Sequence, residues 1–157
     1  MANIKIIELD DVRLLFRNFK GEKRKFNNEG DRNFNVVVTP DQARMLRDEG
    51  FRVKELASRD DFDDTPTYVL KVKVSYLYSE PKVVLIAGRA RRKLTEETID
   101  ELDYADIQTV DLTIKPSRWT QDDGTSGVTA YLNSMYVTLV DDPLERKYAE
   151  EEEEAPF

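Results

Sequence analysis

Along most of the chain, apolar and polar positions alternate with a period of two rather than 3.6. The clearest case is Thr67–Tyr78, TYVLKVKVSYLY. Val69, Lys71, Lys73, Ser75 and Leu77 fall on one side of such a segment. Tyr68, Leu70, Val72, Val74, Tyr76 and Tyr78 fall on the other, which is the signature of a half-buried strand. One face is then apolar and the other carries two lysines. Val12–Phe19, Arg32–Thr39, Phe51–Leu56, Lys82–Ala87, Ile107–Lys115 and Val128–Val140 are further strand candidates, rich in branched and aromatic residues. Asn3–Leu9 is a short strand or a lead-in. Phe34 and Tyr76 are candidates for the core by these patterns, whereas Phe19, at the end of its strand, fits the core and a ligand-facing position equally.

Helical signals are few. Thr39-Pro40-Asp41 opens a helix, with Thr39 as N-cap, Pro40 at the first helical position and Asp41 complementing the dipole. Ala43, Met45 and Leu46 provide its apolar face, and Gly50 ends it. Thr95–Asp103 predicts a short acidic helix capped by Thr95, with Glu97 or Thr98 closing the box. Lys20–Asp31 reads as a loop by its glycines and paired asparagines, Ala57–Pro66 as an acidic loop, and Gln121–Gly127 as a hairpin loop. Pro116 is expected to break the strand that precedes it.

With roughly seven strands, two short helices and no βαβ series, the expected fold is mostly β. The sheet would be mainly antiparallel and closed as a barrel, with a helix between strands and charged loops at one end. That is the outline of an OB-fold-like antiparallel β-barrel. The domain is expected over residues 1–142, with a disordered acidic C-terminal tail over 143–157.

Composition narrows the chemistry. The 157 residues contain no cysteine and no histidine. Disulfides, thiolate metal sites, the usual catalytic triads and the commonest metal ligand are therefore excluded. No apolar run is long enough to span a bilayer, and the N-terminus does not resemble a signal peptide, so the expectation is a cytoplasmic protein with no membrane association. The net charge of −8 is unevenly spread. Residues 1–93 carry 20 Lys and Arg against 15 Asp and Glu, 94–140 carry 2 against 9, and 141–157 carry 2 against 8. Such asymmetry suggests a polyanion-binding face with acid placed elsewhere.

Nothing marks a catalytic set, and the chain is expected not to be an enzyme. Carboxylates cluster at Asp60–Asp64 and at Asp122-Asp123, but neither matches an EF-hand, and no phosphate-loop pattern occurs. No metal and no cofactor are expected. Binding of single-stranded nucleic acid needs cations to follow phosphates and exposed rings on which bases stack. Lys20, Lys23, Arg24 and Lys25 adjoin Phe19 and Phe26. Lys71 and Lys73 precede Tyr76 and Tyr78. Arg89, Arg91, Arg92 and Lys93 form a third cluster, and Arg118 adjoins Trp119. Phe26, Trp119 and Tyr78 are the stacking candidates.

The chain ends in Glu150, Glu151, Glu152, Glu153, Glu154, Ala155, Pro156 and Phe157. Five like charges in a row cannot fold alone, yet a terminal aromatic behind them suits capture by a basic-rimmed apolar pocket. This tail resembles the acidic tip of bacterial and phage single-stranded DNA-binding proteins. The order of basic loop, strand, short helix and strand resembles the phage-encoded OB-fold members. The resemblance implies a protein that coats single-stranded DNA in replication, recombination or repair. It implies a tip that recruits replication or recombination proteins and competes with DNA for the basic groove, and it leaves a homo-oligomer open. Two rival readings follow from the residues: an acidic interaction protein or DNA mimic occupying another protein's nucleic-acid site, and a metal-dependent nuclease using Asp60–Asp64.

Overall fold

The computed structural model describes residues 5–57, 65–77 and 79–140. Among these residues nine strands are present: β1 (Ile7–Leu9), β2 (Leu14–Asn18), β3 (Arg32–Val38), β4 (Val53–Leu56), β5 (Thr67–Val74), β6 (Lys82–Ala87), β7 (Ala90–Leu94), β8 (Ile107–Thr120) and β9 (Ser126–Leu139). One helix, α1 (Pro40–Asp48), lies between β3 and β4, and a single 3-10 turn spans Ile99–Asp103. The class is mostly β, as the alternation predicts.

Hydrogen bonding runs in the order β1-β8-β9-β5-β3-β2, with β4 on β5 and β6 on β9 and β7. The ladder is not closed as expected: it starts on β1 and ends on β2, two strands adjacent in the chain. Between them the Val12 N–H donates to the Val110 carbonyl of β8 at 2.9 Å. Most pairings are antiparallel, but β9 pairs in parallel with β5 at Ala130 and Tyr131 and with β6 from Ser134 to Thr138. A fourteen-residue strand is long enough to serve both along one edge.

The apolar sides of the strands meet in one core. Phe34, Val36 and Val38 of β3, Leu70, Val72 and Val74 of β5, Val110, Leu112 and Ile114 of β8, and Met135 and Val137 of β9 are all buried. The rings of Phe19 and Phe34 stack inside it, 4.9 Å between centroids. Each fully buried side chain of this size contributes about 1.5–3 kcal/mol.

Helix α1 starts where predicted. The Gln42 N–H donates to the Thr39 hydroxyl at 3.1 Å, and the Thr39 N–H donates to Gln42 Oε1 at 2.9 Å, a full capping box. Ala43 and Leu46 are buried, whereas Met45 is exposed, one position off the stripe. Gly88–Lys93, assigned to no element by its sequence pattern, is the turn and outgoing strand of a β6–β7 hairpin. Two expectations are corrected. Thr95–Asp103 is not one helix capped by Thr95: the Thr95 N–H does donate to Thr98 Oγ1 at 2.8 Å, but that bond folds a turn over 96–98, and a 3-10 helix follows over Ile99–Asp103. Pro116 does not break β8, which continues to Thr120 with Pro116 opposite Ala130.

Candidate nucleic-acid interface

β3 and β5 lie side by side with Asn35 opposite Lys71 and Asn33 opposite Lys73. Because strand side chains alternate, these four stand on the outer face while Phe34, Val36, Leu70 and Val72 face the core. Lys54 of β4 and the preceding Arg52 border the same face. The turn Arg24–Asn27 and the end of the β8–β9 hairpin form its sides. Together they enclose an open groove of about 800 Å³. Among the described residues its lining contains six cations, Arg24, Lys25, Arg52, Lys54, Lys71 and Lys73, and no carboxylate. Of these, only Arg24 has an ion pair among the described residues, to Glu22 at 3.8 Å. Cations gathered in one concavity produce a positive potential that attracts polyanions.

Three rings line the groove: Phe16, Phe26 and Trp119. Phe26 sits at the tip of a tight turn made by reciprocal backbone bonds between Arg24 and Asn27, at 2.9 and 3.1 Å. The ring is 90% exposed, with the Lys25 ammonium 5.4 Å from its centroid. The loop beneath it is pinned. Asn27 Nδ2 donates to the carbonyls of Glu22, Asn28 and Asp31, and its Oδ1 accepts from Asn33 Nδ2 at 2.7 Å. At the neck the Gly30 N–H donates to the Gly21 carbonyl at 2.8 Å.

Trp119 sits on the β8–β9 arm opposite Gly127. A β-carbon at Gly127 would lie 2.5 Å from Trp119 Cζ2, so the indole rests directly on the glycine backbone. The arm closes at a turn where Asp123 accepts the Thr125 N–H at 2.9 Å, a bond that holds its carboxyl below the usual range. Phe16 reaches the groove by another route. β2 carries one extra residue between Leu15 and Asn18, and Phe16 adopts a φ of 52°. For a residue with a bulky side chain, that left-handed conformation costs about 1–2 kcal/mol.

The groove continues past Lys71 and Lys73 into a second cavity of about 540 Å³, bordered by Phe26, Arg32, Tyr76, Leu77, Glu96 and Tyr131. Tyr76 packs partly against the core, and burial pushes its phenol up to about 12 against the opposing influence of the Arg32 guanidinium. Carboxylates of Asp31 and Glu96 border this second cavity, so the positive character is concentrated in the first.

The family described as "Putative phage ssDNA-binding domain" matches residues 1–155. The chain belongs to this phage single-stranded DNA-binding family. Two solved structures of the single-stranded DNA-binding protein from bacteriophage Enc34 share the fold. Against its complex with ssDNA the TM-score is 0.53, at 18% identity over 88% of each chain. Against its C-terminal truncation the score is 0.52, at 17% identity over 88% of each chain. The gp2.5 protein of bacteriophage T7 aligns at a TM-score of 0.46 and 12% identity, covering 99% of this chain and 98% of that one. No curated protein matches.

Of the residues singled out by sequence, the structure brings Arg24, Lys25, Phe26, Lys71, Lys73 and Trp119 to one groove. It puts others elsewhere. Lys20 pairs with Glu22 at 3.9 Å and, like Lys23, is not part of the lining. Arg89, Arg91, Arg92 and Lys93 are exposed on the β6–β7 hairpin, where Arg92 pairs with Glu101. Arg118 is exposed beside Trp119 but outside the lining. Tyr78, Asp60–Asp64 and the tail, Glu150 to Glu154 with Pro156 and Phe157, lie outside the described residues. Among the described residues no cluster of three potential metal ligands occurs, and no helix is long and apolar enough to cross a membrane. Phe19 is wholly buried, and Val69 is buried although it shares the lysine side of β5.

Sequence reasoning missed Arg52, Lys54 and Phe16. The first two alternate with Phe51 and Val53, so the period of two contains the signal. For Phe16 it misleads, because regular alternation from Leu14 turns that ring inward.

Proposed function

We propose that this chain coats single-stranded DNA without regard to sequence, in phage DNA replication, recombination or repair. The observation that carries the reading is the groove on the outer β3–β5 face, where, among the described residues, six cations and three rings meet with no carboxylate in the lining. Phosphates would follow Arg24, Lys25, Arg52, Lys54, Lys71 and Lys73. Bases would stack on Phe26 and Trp119, at about 1–3 kcal/mol for each base. Family membership supports the substrate class. The protein would act by binding rather than catalysis. A surface-acid mimic is disfavoured by the same groove.

Residues 143–157 would form a tail outside a DNA-binding domain of residues 1–142. Pro156 and Phe157 behind Glu150–Glu154 would dock replication or recombination proteins, and the glutamates would compete with DNA for the groove. Trp119 is the one tryptophan of the chain, so its fluorescence reports on the groove directly. Titration with oligo-dT is expected to quench it, with affinity falling as salt rises. Removing Ala149–Phe157 is expected to tighten binding at low salt. Absence of binding at low salt, with and without those nine residues, would refute the function.

A further inference from the structure

We propose that Phe16 is a third base-stacking residue of the groove, held there at the expense of backbone strain. The assignment rests on the groove being a path for single strands. On β2, Leu15 lies opposite Asn35 and Asn18 opposite Asn33, so three steps on one strand match two on its neighbour. Leu14 lies opposite buried Val36, and regular alternation would carry Phe16 onto that same core side. The extra residue and the φ of 52° reverse this. Phe16 is turned out, 60% exposed, and lines the groove with Phe26 and Trp119.

Neither packing nor turn chemistry accounts for a phenylalanine there. A ring so exposed buries little, and glycine or asparagine takes up positive φ far more readily. Strain of this kind persists where the surrounding structure imposes it, commonly at ligand clamps, and bulges commonly re-aim a side chain beside a site. What the ring gains is a flat apolar face in a cation-lined groove, where a base stacks whatever its identity.

The test compares full-length Phe16→Gly, Phe16→Ala and Phe16→Tyr with the wild type. The glycine variant is expected to melt above the alanine variant, because glycine alone relieves the positive φ. Both are expected to bind oligo-dT about tenfold more weakly at fixed salt, while the tyrosine variant keeps wild-type affinity. On an abasic deoxyribose-phosphate oligomer of equal length, the gap between wild type and Phe16→Gly should vanish. If Phe16→Gly binds oligo-dT as tightly as the wild type, or loses as much affinity for the abasic oligomer, the stacking role is overturned. A wild type that fails to bind oligo-dT would bring down the reading of the groove, and this assignment with it. Wild-type binding with an unaffected glycine variant removes the assignment alone.

Discussion

A single missing side chain at Gly127 decides how the Trp119 ring lies. Any β-carbon there would meet indole carbons at 2.5 to 3.2 Å, so the ring uses the glycine backbone as a seat and leaves its opposite side to the groove. Glycine weakens a strand, and a cross-strand aromatic laid over it restores the lost contact. Gly127→Ala is therefore expected to lift the ring off the arm. Because Trp119 is 40% exposed it has room to move, which keeps the cost near the low end for overpacking, about 1 kcal/mol. Thermal melting should drop by a few degrees, the tryptophan emission should shift to the red, and oligo-dT should bind more weakly. Unchanged emission and melting in Gly127→Ala would mean that the seat plays no part in placing the ring.

At the scale of elements, the Lys20–Asp31 segment behaves as a built arm rather than a slack loop. Asn27 is its fastener, since one side chain joins Glu22, Asn28, Asp31 and Asn33. Asn27→Ala should free the Phe26 tip. Oligo-dT affinity is then expected to fall several-fold, at about the 1 kcal/mol level of a lost hydrogen-bond set at a partly exposed site, with a smaller relative effect on global melting. Hydrogen exchange of the Arg24–Asn27 amides would report the loosening directly, and full protection in the variant would rule the fastener out. What the sequence conveyed about such elements depended on range. β5 and α1 were legible because alternation and capping are written within a dozen residues. Continuation of β8 through Pro116 was not. Among the described residues β1 pairs β8 from Leu112 to Ile114 only, so beyond that point β8 has a described partner on one side alone and tolerates proline as an edge strand does. The bulge in β2 is likewise imposed from outside, by the register against β3. The groove was half legible for the same reason: Lys71, Lys73 and Phe26 declare themselves locally, whereas Phe16 is turned outward by a neighbour.

For the whole molecule the question is how a chain of net charge −8 would hold a polyanion. Screening answers it, because beyond about 8 Å at physiological ionic strength the distant carboxylates count for little against cations in the groove. Affinity should then depend on the six lining cations rather than on the total. Each phosphate neutralised on a single strand contributes about −0.7 to the slope of log K against log salt, so full engagement of six gives a slope of roughly −4. Replacing Lys71 and Lys73 together by alanine should weaken binding and make the slope shallower by about 1.4. The same double change at Arg91 and Lys93, exposed on β7 and outside the lining, should leave the slope nearly as it was. Equilibrium titrations with oligo-dT from low to moderate salt distinguish the cases. If the β7 pair sets the slope and the β5 pair does not, phosphates run along the β6–β7 hairpin and the outer β3–β5 face is not their path.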